Sequence, residues 1–209
     1  MRAHTSGAEV VASVGGCPVS VAEIDDREDR LRRSPLAAAL PRPGTSEGRQ
    51  LRRWLVQLLV TERVIAIEAA AVGVDPDSAP TEDDLLPDTT ARLEIGSIAA
   101  SALQDPLARA VFVSVTADIV VEDRDVSAYH ARNPLRFAAP EPTAGGWHRP
   151  AATLSLEDAR PAVAAHLLAS ARRRMFRIWL DARRAALVEL APGYEHPGDP
   201  SQPDNTHRH

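Results

Sequence analysis

The chain has 209 residues, of which 44% are hydrophobic and 25% charged, a balance that permits a core of ordinary size. Its net charge of −5 argues against nucleic-acid binding through bulk charge, and the single cysteine, Cys17, excludes an internal disulfide framework. No apolar run is long enough to span a bilayer, and the N-terminus lacks the apolar centre of a secretory signal. The expectation is a soluble cytoplasmic protein with neither nucleic-acid nor membrane partners.

Aromatic residues make up only 4%, so the core must rest on Ala, Val, Leu and Ile. All 24 Lys and Arg positions are arginine. Codon composition accounts for that usage, and bidentate recognition of anions would also suit it.

In chain order, residues 1–9 form an arm, and VVASV at 10–14 reads as a strand. Gly15-Gly16 supplies a turn, after which Pro18 and Val19 can extend a second short strand. Ser20 followed by Glu23 is a capping box, predicting a helix from Val21 that stops near Ser34-Pro35. Prolines and glycines make residues 40–48 a loop. A long helix follows over 47–72, with Leu51, Trp54, Leu55, Leu58, Ile65 and Ala69 on one face and Gly73 as its C-terminal cap. Glu62 falls on that apolar face, where a carboxylate pairs with an arginine or reaches for solvent.

Residues 74–90 are acidic and proline-rich and read as a linker or exposed loop. Helices are expected over 91–103 and 106–112. The run VFVSVTADIVVEDRDV that follows fits helix and strand equally. A short helix at 123–132 ends at Asn133-Pro134, and residues 138–152 read as a loop. The last helix spans 156–188, with an apolar stripe through Ala164, Leu167, Leu168, Ala171, Met175, Ile178, Trp179, Ala182 and Ala186. Its arginines lie mostly off that stripe. Val188-Glu189-Leu190 can form a closing strand, and 192–209 is a Pro/His-rich tail without a core-forming pattern.

Three segments carry a family resemblance. VVASVGGCPVSVAEIDDREDRL resembles the opening of SurA- and PrsA-type peptidyl-prolyl isomerases. QLLVTERVIAIEAAAVGV is similar to their central helix, and DVSAYHARNPLRF to the element leading into their isomerase domain. Trigger factor's substrate-binding domain shares this helical architecture. The resemblance implies a mainly α-helical domain over 10–191, with a small two-stranded β element joining 10–14 to 188–190. Only a short loop containing GGWHRP stands where the parvulin domain of roughly a hundred residues would be inserted, so its active-site groups are missing. The whole chain, notably LRRWLVQLLVTERV, NPLRF and EHPGDPSQPDNTHRH, also resembles small actinobacterial proteins of aromatic polyketide pathways. Some of these are labelled malonyl-CoA:ACP transacylase. That chemistry needs a G-x-S-x-G nucleophile elbow, and the chain has none.

Three groups of residues are candidates for function. In the tail, His196, Asp199, Asp204, His207 and His209, with Glu195 beside them, are ligand types that suit a divalent transition metal; a solvated tail is the alternative. On the last helix, Arg172, Arg173, Arg177, Arg183 and Arg184 would dock an acidic acyl carrier protein or a synthase, or else form a solvated charged face. Trp54, Leu58, Tyr129, His130, Phe137 and Trp179 are candidates for an apolar groove. By the resemblance, Tyr129 and Phe137 pack on the helical core, leaving His130 as a partly exposed neighbour. Cys17, in the Gly-Gly-Cys-Pro turn, has no adjacent cation to make it a thiolate.

The expected function is therefore a non-isomerase accessory or binding protein of an aromatic polyketide pathway. It would hold a hydrophobic small molecule, peptide or partner in a helical groove. The rival is a metal-dependent enzyme acting on a polyketide-like small molecule through the tail. With no parvulin insert, a proline-isomerisation assay on a chromogenic peptide should match the uncatalysed rate; acceleration abolished by boiling would contradict this reading.

Overall fold

The computed structural model describes residues 9–137 and 153–195. The N-terminal arm up to residue 8, the 138–152 loop and the tail from residue 196 lie outside the described residues. Strand β1 (Val10–Val14) turns through Gly15 and Gly16 into β2 (Cys17–Ser20), with Val14 opposite Cys17. Both glycines have positive φ, 55° and 80°, as a two-residue hairpin turn requires. The far edge of β1 pairs antiparallel with β3 (Val188–Leu190). The sheet thus has three strands in the order β2-β1-β3, one more than the two-stranded element expected. The hairpin turn is tight enough for residues 17–20 to add a full strand.

The capping box predicted at Ser20 is formed: its hydroxyl accepts from Glu23 N, and Glu23 Oε2 accepts from Ser20 N at 2.8 Å. It starts α1 (Val21–Arg32), which a short 3-10 helix, Pro35–Ala39, follows. Helix α2 (Ser46–Val72) begins inside the expected 40–48 loop because the Thr45 hydroxyl caps Gly48 N at 3.1 Å. Gly73 ends it in the left-handed conformation. Burial on α2 extends beyond one stripe to Val56, Gln57, Val60, Thr61 and Val64, because α1, α5, α6, α8 and β1 surround it. A helix at the centre of a bundle buries several faces.

The 74–90 segment is not a linker. It forms a 3-10 turn (Pro76–Ser78) and α3 (Glu82–Leu85), capped by a Thr81–Asp84 box, and it seals Leu86 into the core at 1% exposure. The helix expected over 91–103 is broken into α4 (Thr89–Ile95) and α5 (Ser97–Ala102) by Gly96, whose φ of 89° no helix contains. The ambiguous VFVSV run is helical as far as residue 115, within α6 (Pro106–Val115), and buries Val111 and Phe112. Helix α7 (Asp123–Arg132) stops at Asn133, as predicted.

Helix α8 (Leu156–Leu187) gives its last residue to β3. Its buried positions are Ala159, Val163, Arg173, Phe176 and Leu180, not the stripe read from the sequence. Met175 and Ile178 are outward, 38% and 50% exposed. The two faces differ little in hydrophobicity, and Phe176 lies on the inward one. Phe176 lies 5.1 Å from the ring of Phe112 and stacks on Trp179 at 5.4 Å. The described chain is thus mainly helical with a small antiparallel sheet, and it has two apolar clusters. The larger joins the sheet, α1–α6 and the C-terminal half of α8. The smaller joins α7 to the N-terminal half of α8 around Val126, Ala159 and Val163.

Gly48 offers a test of this packing. A helix normally gains about 1 kcal/mol when Gly becomes Ala. Here an added Cβ would collide with the Arg42 carbonyl. Gly48→Ala should therefore lower the urea midpoint, whereas Ala substitution at a helical glycine with room for a methyl raises it.

Candidate binding cleft

The arginines of α8 do not form the docking line expected of them. Arg173 is buried, and its Nε and Nη2 grip Glu94 Oε2, each at 2.8 Å. Arg183 pairs with Glu68 of α2. Arg184 is half-buried and reaches α2, where Nη1 donates to Thr61 Oγ1 at 2.7 Å and Nη2 donates to Gln57 Oε1. Arg172 is half-buried, and Arg177 is exposed with Nη1 3.2 Å from the Glu94 carbonyl. With Phe176 turned inward, four of the five bond to α2 or α4: Arg183 and Arg184 to α2, Arg173 and Arg177 to α4. Helical spacing alone could not show this, because part of the stripe that would have placed them outward, Met175, Ile178, Ala182 and Ala186, is itself exposed.

The proposed groove residues also divide. Leu58 is buried in the larger cluster, with Trp54 and Trp179 half-buried against it. Tyr129 and Phe137 belong to the smaller one. There the Tyr129 hydroxyl lies 3.1 Å from His166 Nε2, and Phe137 stands edge-on to both rings. His130 hydrogen-bonds the Leu154 carbonyl at 3.0 Å and remains partly exposed. These six residues do not line one groove. His196, Asp199, Asp204, His207 and His209 lie outside the described residues. Glu195 accepts from Gly193 N at 3.1 Å, and no group of three metal-ligating side chains occurs among the described residues. Glu62, read as a paired carboxylate, binds Arg27 at 2.7 Å. Cys17 is exposed and reduced.

The structure forms instead a cleft of about 560 Å³ between α2, the α4–α5 break, α8 and β3. That volume falls within the usual range for small-molecule sites, about 300–1,000 Å³. Ile95, Ile98 and Ala99 form one wall because the turn at Gly96 folds residues 95–99 around it, and Leu180 and Leu190 form the other. The polar groups are Gln57, Ser97, Arg177, Asp181 and Arg184. Gln57 is 1% exposed and fully committed: its Nε2 donates to the Tyr194 carbonyl at 2.9 Å while its Oε1 accepts from Arg184. Thr61, also buried, donates to the Gln57 carbonyl at 2.8 Å and accepts from Arg184.

Arg184 therefore rests on neutral acceptors, which use two of its five N–H donors. Burial pushes its guanidinium below the ordinary arginine value, opposed by the charge of Asp181 one turn away. No ion pair joins the two. The C-terminal end of α8 adds a favourable dipole. No signal in the sequence distinguishes Arg184 from its neighbours; only its exit from the helix into β3 sets it facing α2.

A family model described as a family of unknown function (DUF7158) matches residues 10–47, which cover the hairpin, α1 and the approach to α2. No curated protein and no solved structure matches the chain. No helix among the described residues is long and apolar enough to cross a membrane.

His166 supplies a pH test of the smaller cluster. Burial, then the positive charge of Arg136 and to a lesser degree Arg173, holds its imidazole below the ordinary value of 6.5, against the pull of Glu94 and Asp88. The unfolded chain therefore binds this proton at a higher pH than the folded one. Stability is full above 6.5 and falls as pH drops through that value toward the lowered folded one. Relative to His166→Gln, which keeps a partner for Tyr129 but does not titrate, wild type should lose urea-unfolding free energy over that interval; parallel curves would refute the assignment.

Proposed function

We propose that this protein is a cytoplasmic, non-isomerase binding protein that holds a small apolar ligand in the cleft between α2, α5 and α8. The observation that carries the proposal is the cleft itself. It is open to solvent and large enough for a bicyclic ligand, and its walls are Ile95, Ile98, Ala99, Leu180 and Leu190. Burying such a ligand against these walls gains about 25 cal/mol for each Å² of apolar surface removed from water. A rigid rim helps, because little ordering is then lost on binding, and the Arg184–Gln57–Tyr194 hydrogen bonds tie α8 to α2 and to the end of the described chain.

The kinship read in the sequence, a SurA/PrsA-type helical module without its isomerase insert, is part of the same proposal. Its support is the pairing of β1 with β3 and the position of residues 138–152 between α7 and α8, where the insert would belong. A role in an aromatic polyketide pathway rests on sequence resemblance, and a flat hydrophobic ligand would suit it. Docking of an acidic carrier protein is less supported, since Arg173, Arg183 and Arg184 are engaged within the fold.

The test is a neutral solvatochromic dye such as Nile red. The full chain should enhance its fluorescence saturably, and Ser97→Trp, at the cleft rim, should weaken binding severalfold without changing the circular dichroism spectrum. An absent signal, or one indifferent to Ser97→Trp, would count against the cleft.

A further inference from the structure

Most of the arginines packed inside this fold pair with a carboxylate; Arg109, which donates to the Pro80, Leu103 and Gln104 carbonyls, and Arg184 do not. Arg27 pairs with Glu62, Arg52 with Asp25 and Glu28, Arg63 with Glu23, Arg173 with Glu94 and Arg183 with Glu68. Each of these guanidinium ions is offset by a carboxylate at hydrogen-bond distance. Arg184 is drawn in against Gln57 and Thr61 and meets only neutral oxygens. Two buried groups, Gln57 at 1% and Thr61 at 0% exposure, hold its position, and both lie on the rigid centre of α2. It is a cation fixed in place, with donors to spare, on the wall of an otherwise mostly apolar cleft.

We infer that the ligand of this cleft is an organic monoanion, a carboxylate on an apolar body, whose head group takes the free N–H donors of Arg184 while its body lies along Ile95, Ile98 and Leu180. The inference rests on the cleft being a ligand site and adds the ligand's chemical class. A guanidinium meets a carboxylate through two parallel hydrogen bonds, which neutral acceptors on α2 cannot supply together with charge. Arg177, one turn below the central wall residue Leu180, lies at the rim and adds attraction at longer range. Asp181 also lines the cleft, and its negative charge sets a limit. A phosphate monoester carries close to two negative charges at neutral pH. Arg177, Arg184 and Asp181 together leave the cleft with one net positive charge, which a singly charged carboxylate neutralises and a phosphate dianion overshoots. The apolar walls argue for an organic body, since Ile95, Ile98, Ala99, Leu180 and Leu190 offer inorganic phosphate nothing to bind.

The experiment titrates the full chain with naphthoate, its neutral isostere naphthamide, and inorganic phosphate, by calorimetry in low-salt buffer. Naphthoate should bind about tenfold or more tighter than naphthamide, the ratio expected of one added charge-assisted contact. Phosphate should bind no better than naphthamide. Arg184→Gln should remove the preference for the acid over the amide, and Asp181→Asn should strengthen naphthoate binding severalfold while leaving naphthamide unchanged. The Asp181 carboxylate makes no hydrogen bond among the described residues, so this variant keeps the test decisive even if Arg184→Gln fails to fold. Equal affinity for acid and amide in wild type overturns the anion assignment and leaves the apolar cleft standing. Binding of neither compound overturns the cleft reading and this inference with it. Phosphate binding as tightly as naphthoate, or no response to Asp181→Asn, overturns the carboxylate class.

Discussion

The pairing of β1 with β3 is the constraint on which the rest of the structure depends. β1 is hydrogen-bonded on both edges, to β2 on one side and to β3 on the other. The contact reaches beyond the strands: Gly15 N donates to the Leu187 carbonyl at 2.8 Å and Ala191 N to the Val11 carbonyl at 2.9 Å. Because β3 follows α8 without a loop, this short ladder sets the position and rotation of the helix's C-terminal half. Val11 and Val14, completely buried, anchor the sheet to the core from the other side. Two ends of the chain separated by more than 170 positions thus close one body. The entropy of closing so long a loop grows only slowly with its length, so a few strand bonds backed by apolar burial suffice.

Rotation of α8 determines the electrostatics of the interior. With Phe176 and Leu180 turned inward, Arg173, Arg183 and Arg184 reach α2 and α4 instead of solvent. A buried ion pair contributes little net stability, since desolvation offsets most of its attraction, yet removing one partner costs about 3–5 kcal/mol. Such pairs therefore act mainly as constraints on register. Glu94 and Glu68 tie α8 to α4 and α2 through Arg173 and Arg183. Arg184 departs from this scheme, and that departure gives the cleft its polarity.

The two apolar clusters divide the labour along α8. Its C-terminal half belongs to the main body, and its N-terminal half carries α7 and the Tyr129–Phe137–His166 group. The aromatic–Asn–Pro element singled out in the sequence thus serves to pack α7 on α8: Asn133 Nδ2 donates to the Tyr129 carbonyl at 2.9 Å and stops the helix there. Five of the six residues expected to line a single groove are divided between these two clusters, and His130 belongs to neither. The cleft opens where α8 passes the Gly96 break, beside residues that no motif marks.

Local chemistry alone determined the capping box at Ser20, the left-handed end of α2 at Gly73, the stop at Asn133 and the strand at 10–14. Each depends on backbone geometry and hydrogen bonds within a few residues, or on a β-branched run short enough to admit one reading. The tertiary structure set the pairing of β3 with β1, the burial of Leu86 within an acidic segment, the break at Gly96, the inward face of α8 and the neutral seat of Arg184. The reason is physical. A helix with two faces of similar hydrophobicity has no preferred rotation of its own, and a guanidinium has no fixed environment until packing brings either a carboxylate or an amide to it. Strand β3 sets that rotation, and the rotation places Gln57 and Thr61 rather than an acid beneath Arg184.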